Sequence, residues 1–117
     1  MTDITIWHNP RCSKSRISLA LLTDQGAEPT EVRYLEAPPT RAEIEQVLEL
    51  LGLAPIELMR RGETAFKELQ LSPASSDEEL LDAMASQPIL IERPVVFTND
   101  KAVIGRPPEN VLELLDQ

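Results

Sequence analysis

The order of elements legible in this chain predicts an α/β fold, a mixed four-stranded sheet with helices on both faces and a helical insertion between its halves. Three observations carry that prediction. Residues 4–35 run strand, helix, strand; residues 40–86 carry helical patterns only; and residues from 95 onward run strand, strand, helix. Strand, helix and strand within about 35 residues form a βαβ unit, with parallel strands and a right-handed crossover. Two short strands across a turn cluster form an antiparallel hairpin.

The first strand begins with the alternating Ile4-Thr5-Ile6. It breaks at Asn9-Pro10, because proline fixes φ and disfavours the α region for the residue before it. Ile17, Ala20 and Leu21 then recur at helical spacing, and Gly26 closes the helix. The single cysteine, Cys12, therefore lies on a strand-to-helix turn. Residues 29–35 read as the second strand, with Thr30, Val32 and Tyr34 on one face, stopped by Ala37-Pro38-Pro39. Thr40 and Glu43 form a capping box for a helix whose apolar face is Ile44, Val47, Leu48 and Leu51 and whose end is Gly52. Residues 55–60 predict a short helix, Gly62 separates it from another over 64–71, and Ser76 with Glu79 caps a helix through Leu80, Leu81 and Met84. Residues 89–91 have strand composition, but Pro88 and Pro94 confine them to an extended connector. Residues 95–98 and 102–104 are strands across Asn99-Asp100-Lys101, and Pro107-Pro108-Glu109 opens a final helix buried through Val111, Leu112, Leu114 and Leu115. A parallel pair joined to an antiparallel hairpin is the thioredoxin-like architecture. It is expected here as a single domain over residues 1–117 with its insertion at about 40–86.

Composition narrows the function. The 117 residues suffice for one packed core, and aromatics are so few (Trp7, Tyr34, Phe66, Phe97) that it must be aliphatic. No apolar run approaches the roughly 20 residues that span a bilayer, so no membrane association is expected. Met1-Thr2-Asp3 lacks the basic n-region and long apolar h-region of a signal peptide, so none is expected. One cysteine cannot form an intrachain disulfide, and with one histidine it cannot build a structural zinc site, so no metal and no bound cofactor are expected. A lone thiol suits a reducing compartment, and a cytoplasmic location is expected. A net charge of −9 argues against nucleic acid, whose affinity rests on Lys and Arg.

Against that acidity, residues 4–23 contain no acid and three cations, Arg11, Lys14 and Arg16. A basic window in an acidic chain reads as an anion site. The start of a helix also has unpartnered N–H groups and the positive end of its dipole, which suit an anion or a thiolate. Lowering a thiol from about 8.5 to roughly 6 makes it about 90% thiolate at neutral pH, a differential stabilisation of about 3.4 kcal/mol. The dipole, the adjacent cations and the Ser13 or Ser15 hydroxyls are candidates to supply it. The alternative for Cys12 is a small buried hydrophobe.

Four motifs in order, His8-Asn9-Pro10-Arg11-Cys12 with Ser15, Leu58-Met59-Arg60-Arg61 with Glu68-Leu69, residues 88–96 through Arg93-Pro94, and Ile104-Gly105-Arg106-Pro107, run over essentially the whole chain. In them the sequence resembles the glutaredoxin-linked arsenate reductases of thioredoxin fold. The resemblance implies that Cys12 attacks arsenate, that His8 and Ser15 favour and orient its thiolate, and that Arg60, Arg93 and Arg106 bind the oxyanion. It also implies a cis bond before Pro94, beside the cysteine. Glutathione would be the co-substrate and glutaredoxin the partner, with arsenic reduced on a thiolate–arsenic adduct and released as arsenite. The residues alone agree that the second thiol must come from outside, and guanidinium forks suit a tetrahedral oxyanion. They leave Arg61 as plausible by position as Arg60, and His8 as a possible strand-end residue. Two further readings stand beside this one. One is a general glutathione-dependent thiol oxidoreductase of the same fold. The other is a non-catalytic regulatory binding protein, for which Ser15 in place of a second cysteine removes a disulfide switch.

Overall fold

The computed structural model describes residues 3–92 and 94–115. Its elements are β1 (Thr5–Trp7), α1 (Ser13–Asp24), β2 (Thr30–Val32), α2 (Arg41–Leu51), a 3-10 turn (Pro55–Leu58), α3 (Thr64–Glu68), α4 (Asp77–Ser86), a second 3-10 turn (Pro88–Leu90), β3 (Val95–Phe97), β4 (Ala102–Ile104) and a 3-10 helix (Pro108–Leu115). They fall into two units, Met1–Ala37 with Arg93–Gln117, and Pro38–Glu92.

The first unit holds the whole sheet, in the order β2-β1-β3-β4. β1 runs parallel to β2 with Thr5 opposite Thr30, antiparallel to β3 with Ile6 opposite Val96, and β3 pairs antiparallel with β4. This is the mixed thioredoxin-like sheet that the element order predicts. Because side chains alternate across a strand, Ile6 and Val96 share one face, where Ile4, Leu22, Val111 and Leu114 complete a buried aliphatic cluster. Each such side chain contributes about 1.5–3 kcal/mol by leaving water. On the opposite face Trp7 and Phe97 meet edge to face, with ring centroids 5.5 Å apart.

Helix α1 ends as its glycine predicts. Gly26 takes φ +86°, its N–H bonds Thr23 O, and the Ala27 N–H bonds Leu22 O, a Schellman closure. Its buried face differs from the expected one: Ser15, Ser18 and Leu22 are buried, whereas Ile17 and Ala20 are exposed. Leu21, the third residue of the expected face, is partly buried against the aliphatic cluster, while Ser15 meets the turn at His8 and Asn9 and Ser18 lies beside Gly105 after β4. The second strand is also shorter than 29–35, because the chain turns after Val32 and buries Tyr34 in that turn. The last element is 3-10 rather than α-helical. Its buried residues Pro108, Val111 and Leu114 recur every third position, the period that a 3-10 helix places on one face.

In the second unit both predicted capping boxes form, Thr40 with Glu43 on α2 and Ser76 with Glu79 on α4. These two helices pack together. Arg41 of α2 reaches Glu78 and Asp82 of α4. The connector at residues 89–91 is a 3-10 turn followed by extended backbone. Ile91 bridges Met59, the Arg60 N–H donates to Leu90 O at 2.7 Å, and the Glu92 N–H donates to Leu58 O at 2.7 Å.

Candidate active site

Where β1 ends, the His8 N–H donates to Val32 O at 2.8 Å, which keeps the first turn residue aligned with β2. Proline at position 10 forces the chain out of the strand. Asn9 holds the resulting turn from both ends. Its carbonyl accepts the Cys12 N–H at 3.0 Å and its side-chain oxygen accepts the Arg11 N–H at 3.0 Å. Cys12 is thereby fixed as the N-cap of α1, with extended backbone (φ −95°, ψ 122°) and its carbonyl accepting the Arg16 N–H. The Arg16 guanidinium folds back to Pro10 O at 2.9 Å and braces the turn from outside. The cysteine is 8% exposed.

Beneath it, Ser15 Oγ lies 2.6 Å from His8 Nδ1 and accepts the Asn9 N–H at 3.0 Å. All three residues are buried. Burial is the main reason that the His8 imidazole is held below its ordinary value of 6.5. The nearby Glu31 opposes that shift, while the positive charges of Arg33 and Arg16 reinforce it. At neutral pH the ring is therefore uncharged, and its bond to Ser15 joins two neutral groups.

Arg106, at the end of β4, brings its guanidinium to 3.8 Å from Cys12 Sγ. Its loop is fixed locally. Asn110 donates from Nδ2 to Ile104 O and Arg106 O, at 3.3 and 3.2 Å, and the Arg106–Pro107 bond is cis. Before it, the Gly105 N–H donates to Pro94 O at 2.9 Å. A Cβ on Gly105 would stand 2.5 Å from Ser18 Oγ and 2.7 Å from Pro94 Cγ, so only glycine lets β4, α1 and the buried Pro94 meet this closely. The thiol thus has a guanidinium beside it, the positive end of α1 at its backbone, and a neutral His–Ser pair in the same turn. A guanidinium and a helix N-terminus are groups that favour a thiolate and suit an oxyanion, whereas the uncharged His–Ser pair braces the turn.

Of the residues singled out by sequence, His8, Cys12, Ser15 and Arg106 are brought together in the first unit. Arg60 belongs to the second unit. Its Nε lies 3.0 Å from Glu63 Oε2 and its Nη1 lies 3.0 Å from Glu92 Oε1, whereas Arg61 is exposed. Arg93, and with it the Arg93–Pro94 bond expected to be cis, lies outside the described residues. Sequence reasoning passed over Asn9 and Asn110. An asparagine before proline at a turn was the available signal for the first, because its side chain bonds the backbone two residues on. Asn110, inside an apparently amphipathic helix, gave none.

The profile of the ArsC family matches residues 7–114. The chain belongs to the ArsC family. It is 44% identical over 117 residues to the arsenate reductase of Neisseria meningitidis serogroup B, covering 98% of this chain and 100% of that one. It is 41% identical over 116 residues to the arsenate reductase of Escherichia coli K12, covering 98% and 82% respectively. Among solved structures, an arsenate reductase from Vibrio cholerae superposes with a TM-score of 0.91 at 47% identity, over 96% of this chain and 97% of that one. The matched segment of this ArsC-family chain contains every residue of the Cys12–Arg106 cluster.

Proposed function

We propose that this ArsC-family protein reduces arsenate to arsenite through an adduct on Cys12, with glutathione and glutaredoxin supplying the electrons. The observation that carries the reading is the Arg106 guanidinium 3.8 Å from the sulfur of a helix-capping cysteine. The names of its relatives point to the same substrate.

In the proposed reaction the Cys12 thiolate forms a sulfur–arsenic bond as one arsenate oxygen, protonated, leaves as water. Arg106 and the α1 N–H groups bear the charge that builds on the remaining oxygens. Arg60 and Arg93 are proposed as further anion ligands on the family resemblance. His8 and Ser15 hold the turn that presents the thiolate. With one cysteine in the chain, the reducing pair comes from two external thiols. One displaces a second arsenic oxygen as water, the other attacks that thiol's sulfur so that a disulfide forms and the electron pair passes to arsenic, and a water then cleaves the Cys12–arsenic bond to release arsenite and the free thiol. Overall, arsenate and two thiols give arsenite, one disulfide and water.

The test is arsenite formation by the purified protein with glutathione and glutaredoxin together, each alone, and neither. The expected result is turnover that requires glutathione, rises with glutaredoxin and disappears in Cys12→Ser. Turnover of glutathione disulfide without any arsenite would instead support the general thiol oxidoreductase.

A further inference from the structure

A second concave feature lies within the first unit. A cleft of about 470 Å³ opens between residues 8–11, which form the turn after β1, and Arg33, Leu35 and Glu36, which follow β2. Its size falls within the roughly 300–1,000 Å³ typical of small-molecule sites. Its position is informative as well. β1 and β2 are parallel, so the cleft sits at their carboxyl ends, where sheets of this kind take their ligands.

The lining has a specific charge pattern. Arg11 and Arg33 supply two cations, Glu36 supplies one anion, and His8, held uncharged at neutral pH, adds none. Leu35, 39% exposed, and the exposed Pro10 supply an apolar wall. Arg33 and Glu36 face each other only loosely, at 3.9 Å and with both side chains mostly in water, so a ligand separates them at little cost. A single inorganic oxyanion does not use this pattern, because it leaves the apolar wall empty and is repelled by Glu36.

We propose that this cleft binds the thiol co-substrate, a small peptide thiol of the glutathione type. Arg11 and Arg33 pair its two carboxylates, and Glu36 pairs its ammonium group. The proposal rests on the reading that an external thiol completes the reaction. It adds where that thiol binds and why a charged tripeptide is preferred to a simple thiol. Arg11 is joined directly to Cys12, and Asn9, another lining residue, holds the Cys12 N–H. A thiol at the Arg11 end of the cleft therefore lies against the nucleophile turn, although Cys12 itself is not among the residues that line it.

The experiment titrates the isotopically labelled full chain with S-methylglutathione, whose blocked sulfur cannot exchange, and follows backbone amide resonances. Saturable shifts are expected at the amides of residues 8, 9, 11 and 33–36. Arg11→Ala and Arg33→Ala should each weaken binding about tenfold, as for a lost charge-assisted contact. Arg33→Glu should weaken it further, and added salt should weaken it in the parent protein. The same variants should raise the KM for glutathione in arsenite formation. Absent or scattered shifts, or unchanged affinity in both alanine variants, would overturn the assignment. Two outcomes separate this idea from the reaction it rests on. Binding in the cleft without arsenite formation retains the site and removes the arsenate reading. Arsenite formation with an unaltered KM in every variant does the reverse.

Discussion

Ser15 occupies a buried position where a helix ordinarily places an aliphatic residue, and its hydroxyl meets both His8 Nδ1 and the Asn9 N–H. Replacing it with alanine leaves two buried polar groups unpartnered, which should cost about 1–3 kcal/mol in chemical denaturation. The same variant should slow alkylation of Cys12 at neutral pH by a smaller factor than Arg106→Ala, whose guanidinium lies 3.8 Å from the sulfur. His8 gives a pH signature. Its folded value lies below 6.5, so as pH falls through 6.5 the unfolded chain takes up a proton that the folded chain does not. Stability should therefore fall as the solution is acidified from pH 6.5, and His8→Gln should flatten the slope in that window. Cys12 was legible in the sequence as a lone thiol on a strand-to-helix turn within an acid-free window. Ser15 was legible as a hydroxyl near the thiol, but its bonds to His8 and Asn9 were not, because nothing local in a serine announces a buried partner seven residues away.

At the scale of elements, the junction of β4, α1 and Pro94 depends on Gly105. Gly105→Ala places its methyl against Ser18 Oγ and Pro94 Cγ and should destabilise the protein by about 1–3 kcal/mol on thermal or denaturant unfolding. Ser18 Oγ is buried with no hydrogen-bond partner among the described residues. Ser18→Ala alone should then be neutral or stabilising, and combined with Gly105→Ala it should recover part of the loss. This serine face is also why apolar periodicity does not locate the buried side of the first helix. Apolar periodicity selects Ile17 and Ala20, but the buried side carries the polar residues that meet the nucleophile turn and β4. The capping boxes of α2 and α4 were fully legible because each is a local pattern, and Thr40→Ala should cost about 1 kcal/mol. Arg60 is the opposite case. Its pairing with Glu63 and Glu92, all about three-quarters buried, has no local signature. Arg60→Ala removes the guanidinium that these carboxylates share and should lower stability by about 1–2 kcal/mol, so a surface-like tolerance is not expected there.

For the whole molecule, the order of strands and helices specified the mixed sheet, since connection lengths leave few ways to join a parallel pair to a hairpin. The site was less legible, because its members come from the turn after β1 and the end of β4, and no single window contains both. Their convergence predicts a split between function and folding. Arg106→Ala should reduce arsenate turnover by roughly 2–4 kcal/mol in activation free energy. Its unfolding free energy should stay within about 1 kcal/mol, and the exposed Arg61→Ala should change neither appreciably. All of this requires that Cys12 be a thiolate facing an oxyanion. The most direct measurement is therefore the alkylation rate of Cys12 against pH, with and without arsenate, in the free protein. The rate should titrate well below 8.5, the ordinary value for a thiol, and arsenate should protect the residue. A titration at about 8 or above, with no protection by arsenate, would contradict the account.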